Sequence, residues 1–211
     1  MGEDLFAGAL TGVEQLREIY QPPEGLAAVK EIDHLDEAVR GFVACAPILF
    51  LASVGADGRV DVTPRGGPPG FVRVVDEHHL VIPDATGNRR IDTYRNVVAT
   101  GRVGLIFLIP GRGQTLRING RAAVTARPDI LDTLTAVGKP PRAALVVRAE
   151  EVFTHCPKAF VRSGVWKPET WPDARAAPSE AEIVHAHVGD PAISLEDVLQ
   201  SQRDALLYRL E

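Results

Sequence analysis

Cysteine is nearly missing from this chain. Cys45 and Cys156 are the only two in 211 residues, and no C-x-x-C spacing occurs. That leaves no disulfide framework to read and predicts a reduced, cytoplasmic protein. Long apolar runs are missing as well. Nothing approaches the roughly 18 residues that a membrane span takes, and the first residues lack the basic-then-apolar order of a signal peptide. A surplus of basic charge is also absent. The formal net charge is −5, which argues against a general nucleic-acid binder, because phosphate-backbone binding wants a basic face. The phosphate-loop pattern G-x-x-x-x-G-K-[ST] and the dinucleotide pattern G-x-G-x-x-G do not occur, so neither of those nucleotide sites is expected. Histidines are few, and none has partners at metal-ligand spacing. His34 reads as a solvated residue near a helix start, and His185 and His187 as two residues on one face of an extended segment without a third ligand. No metal is expected.

What is present fits one domain with appended elements. Hydrophobic residues make up 45% of the chain, enough for a sizeable core at this length. Residues 1–32 read as a helical lead-in, in which Thr11 caps a helix carrying Val13, Leu16, Ile19 and Tyr20 on one face before Pro22 and Pro23 end it. A second amphipathic helix is predicted from about Asp33, as cap, to Cys45. After Pro47 the period changes to that of strands. Ile48 to Val54 and Val60 to Thr63 form a hairpin about Ala56, Asp57 and Gly58, and Phe71 to Val75 with Leu80 to Ile82 form another, with His78 and His79 in its turn.

The stretch that organises the chain follows: Ile82, Pro83, Asp84, Ala85, Thr86, Gly87, Asn88, Arg89 and Arg90. It reads as a strand end, a tight turn, and a helix from about Asn88 to Ala99 with Ile91, Tyr94, Val97 and Val98 at helical spacing. Two arginines in a first helical turn oppose the dipole, so an anion that offsets this cost is expected there. Unpaired N–H groups, the Asn88 amide and two guanidinium forks suit a phosphate.

The run Val103 to Ile109 is apolar on both faces, so it is expected to be covered twice, by the core and by something else such as a second subunit. From Gln114 to Thr125, Leu116, Ile118, Gly120 and Ala122 alternate with Thr115, Arg117, Asn119 and Arg121. The polar face is either solvated, part of a dimer salt bridge, or a ligand floor. A helix over Pro128 to Val137 and a long last strand through Ala143–Val147 and Val152–Phe153 follow. His155 and Cys156 are neighbours, but adjacent strand residues point to opposite faces and no third orienting group is evident, so a structural role is expected. Residues 168–191, rich in proline and alanine, read as an extended arm, after which Ser194 caps a final helix.

About six short, largely antiparallel strands with helices outside predict a closed barrel. The ordered motifs also resemble a known family. Asp76 to Ile82, then Gly87-Asn88-Arg89-Arg90, then Gly101 to Phe107, then Gln114 to Ala122 resemble the pyridoxamine 5′-phosphate oxidase-like FMN-binding split β-barrel proteins. Thr63-Pro64-Arg65-Gly66-Gly67-Pro68-Pro69-Gly70 and His155-Cys156-Pro157-Lys158-Ala159 are similar to a branch of uncharacterised probable FMN-dependent enzymes. The resemblance runs over roughly residues 30–171.

The resemblance implies a mainly β split barrel over residues 33–164, and the composition beyond it leaves an extended arm and C-terminal helix over 165–211. It implies a homodimer with two FMN sites at the subunit interface, and an FMN-dependent oxidoreductase acting on a small molecule, with no nucleic acid or membrane partner. Where the oxidase holds the FMN phosphate with Gly-Ser-Arg-Lys, this chain has Gly87-Asn88-Arg89-Arg90, and where it uses a glutamine this chain has Thr115. Its second-strand arginine falls nearest Thr63, with Arg65 on the same face. Cofactor binding is therefore expected at Thr63, Arg65, Asn88, Arg89, Arg90, Thr115 and Arg117. The oxidase's Tyr-Thr pair is Pro83-Asp84 here, and its C-terminal Arg-x-x-x-Arg signature is missing, which argues against pyridoxamine phosphate as substrate. The alternatives are a deazaflavin or haem in the same barrel, or a flavin-binding protein without catalysis. Haem would need an axial ligand, and His78, His79 and His155 are expected in turns or at a strand end.

Overall fold

A computed structural model describes residues 4–85, 87, 89–134 and 140–208. The chain divides into two compact units at Glu31–Ile32.

The first unit holds α1 (Val13–Ile19) and α2 (Leu26–Val29). Gly12, not Thr11, is the cap of α1, because the Gln15 side chain accepts from the backbone N–H of both Thr11 and Gly12 and so holds Thr11 outside the helix.

The second unit opens with an isolated bridge between Ile32 and Val152, and the Leu35 N–H donates to Glu77 O. These bonds keep residues 32–35 extended. The helix α3 (Glu37–Cys45) therefore starts at Asp36, whose carboxylate accepts from Val39 N–H, and not at Asp33. It buries Val39 and Val43 against the sheet.

Seven strands follow rather than six: β1 (Ile48–Val54), β2 (Val60–Gly66), β3 (Arg73–Val74), β4 (His79–Pro83), β5 (Arg102–Leu108), β6 (Thr115–Thr125) and β7 (Ala144–His155). All pairings are antiparallel, in the order β2-β1-β5-β6-β7-β4-β3. The strand expected over Phe71 to Val75 shrinks to the two residues of β3: the Phe71 N–H donates back to the Pro68 carbonyl in a turn, and after Val74 the Asp76 carboxylate takes the N–H groups of His78 and His79. Alternation fixes the core: Leu49, Leu51, Leu80, Ile82, Leu105, Phe107, Leu116 and Ile118 are buried on one side.

The expectation that β5 is covered on both faces is only half met within the chain. Val103, Leu105 and Phe107 are buried, whereas Ile106 is 41% exposed and its cross-strand neighbour Phe50 is 40% exposed.

β6 and β7 are matched by a bulge between Asn119 and Gly120. A Cβ on Gly120 would overlap the Arg148 carbonyl oxygen, so only glycine fits. Glu150 is the unpaired residue there, and it bridges Arg102 and Arg121.

Among the described residues, five further helices lie between or after the strands: α4 (Asp92–Thr100), the short α5 (Pro128–Leu131), α6 (Lys158–Ser163), α7 (Glu180–Val188) and α8 (Leu195–Tyr208). The helix expected over Pro128 to Val137 is described only to Leu131, and residues 135–137 lie outside the described set. The expected extended arm is a correction. Residues 168–191 contain two 3-10 turns and α7, because Ser179 and Glu182 form a reciprocal capping box that starts a helix. His185 and His187 thus sit two apart on a helix and do not share a face. Ser194 caps α8 as expected, accepting from Asp197 N–H.

Candidate functional site

The fold builds a polar cleft of about 770 Å³ where β2, the end of β4 and the start of α4 meet. Helix α4 is fixed against it by side-chain hydrogen bonds. Thr93 Oγ1 donates to Asp61 (3.1 Å), Tyr94 Oη to Asp84 (2.7 Å), and Asn96 Nδ2 to Ser53 (3.0 Å), while Thr100 Oγ1 donates to the Val54 carbonyl (2.9 Å). Thr93 is buried, so its bond to Asp61 satisfies a hydroxyl that would otherwise be costly to bury.

The turn into α4 is not the one expected. Arg89 and Ile91 both have positive φ, 63° and 53°, and Ile91 is the cap residue, so α4 begins only at Asp92. The arginines precede the helix and do not occupy its first turn. The acidic residue that the dipole favours, Asp92, takes that place and accepts from Arg90 Nε at 2.7 Å. This hydrogen bond raises the Arg90 pKa. A left-handed β-branched residue is strained by about 1–3 kcal/mol, and such strain collects at ligand sites.

Arg65 is the second feature. Its guanidinium carbon lies 5.6 Å from the centroid of the Tyr94 ring, a cation–π distance. Its Nε is buried and has no hydrogen-bond partner among the described residues. A buried unpaired donor costs about 1–3 kcal/mol. Burial first, and then the Asp84 carboxylate, push the Tyr94 hydroxyl well above the usual tyrosine range.

Of the residues expected from sequence, Thr63, Arg65, Arg89 and Arg90 line this cleft. Asn88 lies outside the described residues. Thr115 and Arg117 do not line it. Thr63 and Arg65 pair across β1 with Leu51 and Leu49, the inward residues, whereas Arg117 pairs with outward Ile106. Arg117 stacks 5.4 Å from the Phe153 ring centroid and bonds Asn119. The two sets therefore sit on opposite faces of the sheet.

Asp61, Asp84, Tyr94 and Arg142 also line the cleft, and the sequence reading missed them. Helical spacing marks Tyr94 only as an apolar position. Nothing in sequence spacing brings Asp61 or Arg142 to the turn, since strand pairing does so. His78, His79 and His155 are not among the lining residues, and no group of three His, Cys, Asp or Glu is placed for a metal among the described residues.

The family model of pyridoxamine 5′-phosphate oxidase matches residues 35–156, more than half of the chain. The chain belongs to that family. Its seven-stranded antiparallel sheet with peripheral helices is the family's split barrel, as the resemblance implied.

No protein of curated function matches by sequence. Solved structures are similar in part, three of them as follows. HupZ from Group A Streptococcus is 16% identical over 56% of this chain and 92% of its own, with a TM-score of 0.47. A candidate pyridoxamine 5′-phosphate oxidase from Lactobacillus delbrueckii is 24% identical over 59% of this chain and 99% of its own, also with a TM-score of 0.47. An FMN-binding protein from Syntrophomonas wolfei is 16% identical over 55% and 82%, with a TM-score of 0.42. Within this pyridoxamine 5′-phosphate oxidase family, the matched span takes in β1 to β7, α4 and the whole cleft lining. No helix among the described residues is long and apolar enough to cross a membrane.

Proposed function

We propose that the cleft binds FMN and that the protein is an FMN-dependent oxidoreductase acting on a small molecule. The observation that carries this reading is Arg65: a cation held against Tyr94 on the wall of an arginine-rich cleft, with a buried donor left for a ligand to use. The donor set fits a phosphomonoester. Arg89 and Arg90 line the cleft together, and a phosphate carrying about −1.5 to −2 charges is stabilised by guanidinium forks. Bound there, FMN supplies the electron transfer that no side chain can perform. The residues of the chain bind and orient it: Arg89 meets the phosphate from the turn that Arg90 ties to Asp92, while Arg65 and Thr63 face the rest of the ligand from β2.

Arg117, on the opposite face, serves the cleft of a second copy in a homodimer, whereas Thr115 is 4% exposed and buried within its own chain. Support comes from the outward apolar residues Phe50, Val62 and Ile106 on the same side of the sheet, which stay 40%, 62% and 41% exposed. A second subunit laid on that face removes these side chains from water.

The test is a visible spectrum of protein purified without added cofactor, chromatography of the molecule released by heat, and a solution mass. A flavin spectrum, FMN at about one per subunit, and a dimer mass support the reading. A colourless protein that takes up no FMN but binds a deazaflavin or haem overturns the cofactor, and a monomer carrying FMN overturns the shared site. Oxidation of a reduced nicotinamide by the loaded protein separates enzyme from binder, since fold does not decide it.

A further inference from the structure

We infer that Arg142 is the second phosphate-binding cation of the cleft, working with Arg89, and that Arg90 is a positioning residue for the turn. The inference rests on the FMN reading and specifies how the anionic end is built.

Strand pairing places Arg142 there. Pro83 pairs with Ala144 at the end of the β4–β7 ladder, and the Asp84 N–H donates to the Ala143 carbonyl at 2.9 Å. Continuing that register by one pair sets residue 142 beside residue 85, at the mouth of the turn that carries Gly87 and Arg89. Arg142 accordingly lines the same cleft, on the wall contributed by the chain entering β7. Two prolines precede it, and Pro141 is buried. The fixed φ of proline makes this approach stiff, so the guanidinium is presented from an anchored backbone.

Charge pairing separates the three arginines of this end. Arg90 is bonded through Nε to the Asp92 carboxylate, so its charge is largely answered within the chain, and the bond ties the strained turn to the start of α4. Arg89 and Arg142 have no carboxylate partner among the described residues. A phosphate near −2 is under-neutralised by Arg89 alone. A second guanidinium at the mouth of the turn makes a clamp in which each fork can take two oxygens.

The experiment compares FMN with riboflavin, which lacks only the phosphate, by flavin fluorescence titration of the full-length apoprotein. Arg142→Gln is expected to weaken FMN binding about ten-fold or more and to leave riboflavin within about two-fold. Arg142→Lys, which keeps the charge but loses the fork, is expected to fall between. Arg90→Gln is expected to weaken both flavins alike, as a disturbed turn would. The inference is overturned if Arg142→Gln binds FMN as the wild type does, or if it loses FMN and riboflavin equally. It is overturned together with the FMN reading if the wild type does not distinguish the two flavins. Arg142 is exposed, so the melting temperature of the variants should match wild type, and this checks that a loss is a loss of binding.

Discussion

Two regions of this molecule carry clustered arginines, and they are built in opposite ways. On the outer side of β5, β6 and β7, Arg102 and Arg121 share Glu150, and Arg117 lies against Phe153 with a bond to Asn119. The backbone there is regular apart from one bulge. Among the described residues of the cleft, Arg65 has a buried donor without a partner, Arg89 and Arg142 lack carboxylates, and the turn holds two non-glycine residues at positive φ. One region has its charges answered by its own neighbours. The other keeps charge and strain in hand, which is what a binding site needs before its ligand arrives. A count of arginines cannot tell the two apart; the partner of each one does.

The comparison can be broken by substitutions, and the largest effect should come from the scaffold. Gly120→Ala drives a Cβ into the Arg148 carbonyl and should cost about 3 kcal/mol or more, read as a lowered denaturant midpoint or failure to fold. If it is tolerated, the β6–β7 bulge is not the rigid element described. In the cleft, replacing Arg89 and Arg90 together by alanine should abolish FMN retention through purification while the urea midpoint moves little; flavin that still co-purifies refutes the phosphate assignment.

Smaller effects sharpen the contrast. Tyr94→Phe removes the 2.7 Å bond to Asp84 and should destabilise by about 1 kcal/mol near neutral pH. The pH dependence has a definite sign. The folded pKa of Tyr94 is raised, so the associated stability is complete below the unfolded value of about 10 and is lost as pH rises toward the folded value. The difference between wild type and Tyr94→Phe should therefore shrink in alkaline solution, and a difference that grows there contradicts the Asp84 bond. Ile91→Gly should raise stability by about 1 kcal/mol by relieving a left-handed isoleucine, with weaker flavin binding as the turn loosens. The smallest change is expected for Glu150→Gln. It should cost less than about 1 kcal/mol and vanish in high salt, as surface ion pairs do.

Much of the sheet was legible because alternation is a strong signal: Leu116 and Ile118 against Thr115 and Arg117 reads directly as two faces. The start of α4 was not legible. Arg89, Arg90 and Ile91 look like a helical first turn, but tertiary structure holds them outside it with left-handed backbone that no propensity predicts. The capping box at Ser179 and Glu182 was readable in principle and was masked by the surrounding proline and alanine. As for the cleft, Thr63 and Arg65 are legible together because they lie two apart on one strand. Arg142 was missed because only the pairing of β4 with β7 brings it beside residue 85 at the turn, and that pairing joins residues far apart in sequence.

The bulge in β7 also governs which changes of length the chain can absorb. Before it, Leu145, Val147 and Ala149 face the core; after it, Val152 does, so the odd-numbered side chains give way to an even-numbered one. Loops can lengthen or shorten at little cost, whereas a residue lost from a regular stretch of strand sends the side chains beyond it to the opposite face. Glu150 is the exception within β7. Without it, Ala149 can still stand opposite Gly120, Glu151 opposite Asn119, and Val152 toward the core. The middle of this strand therefore holds one position where the chain can lose a residue and keep the two surfaces of its sheet as they are.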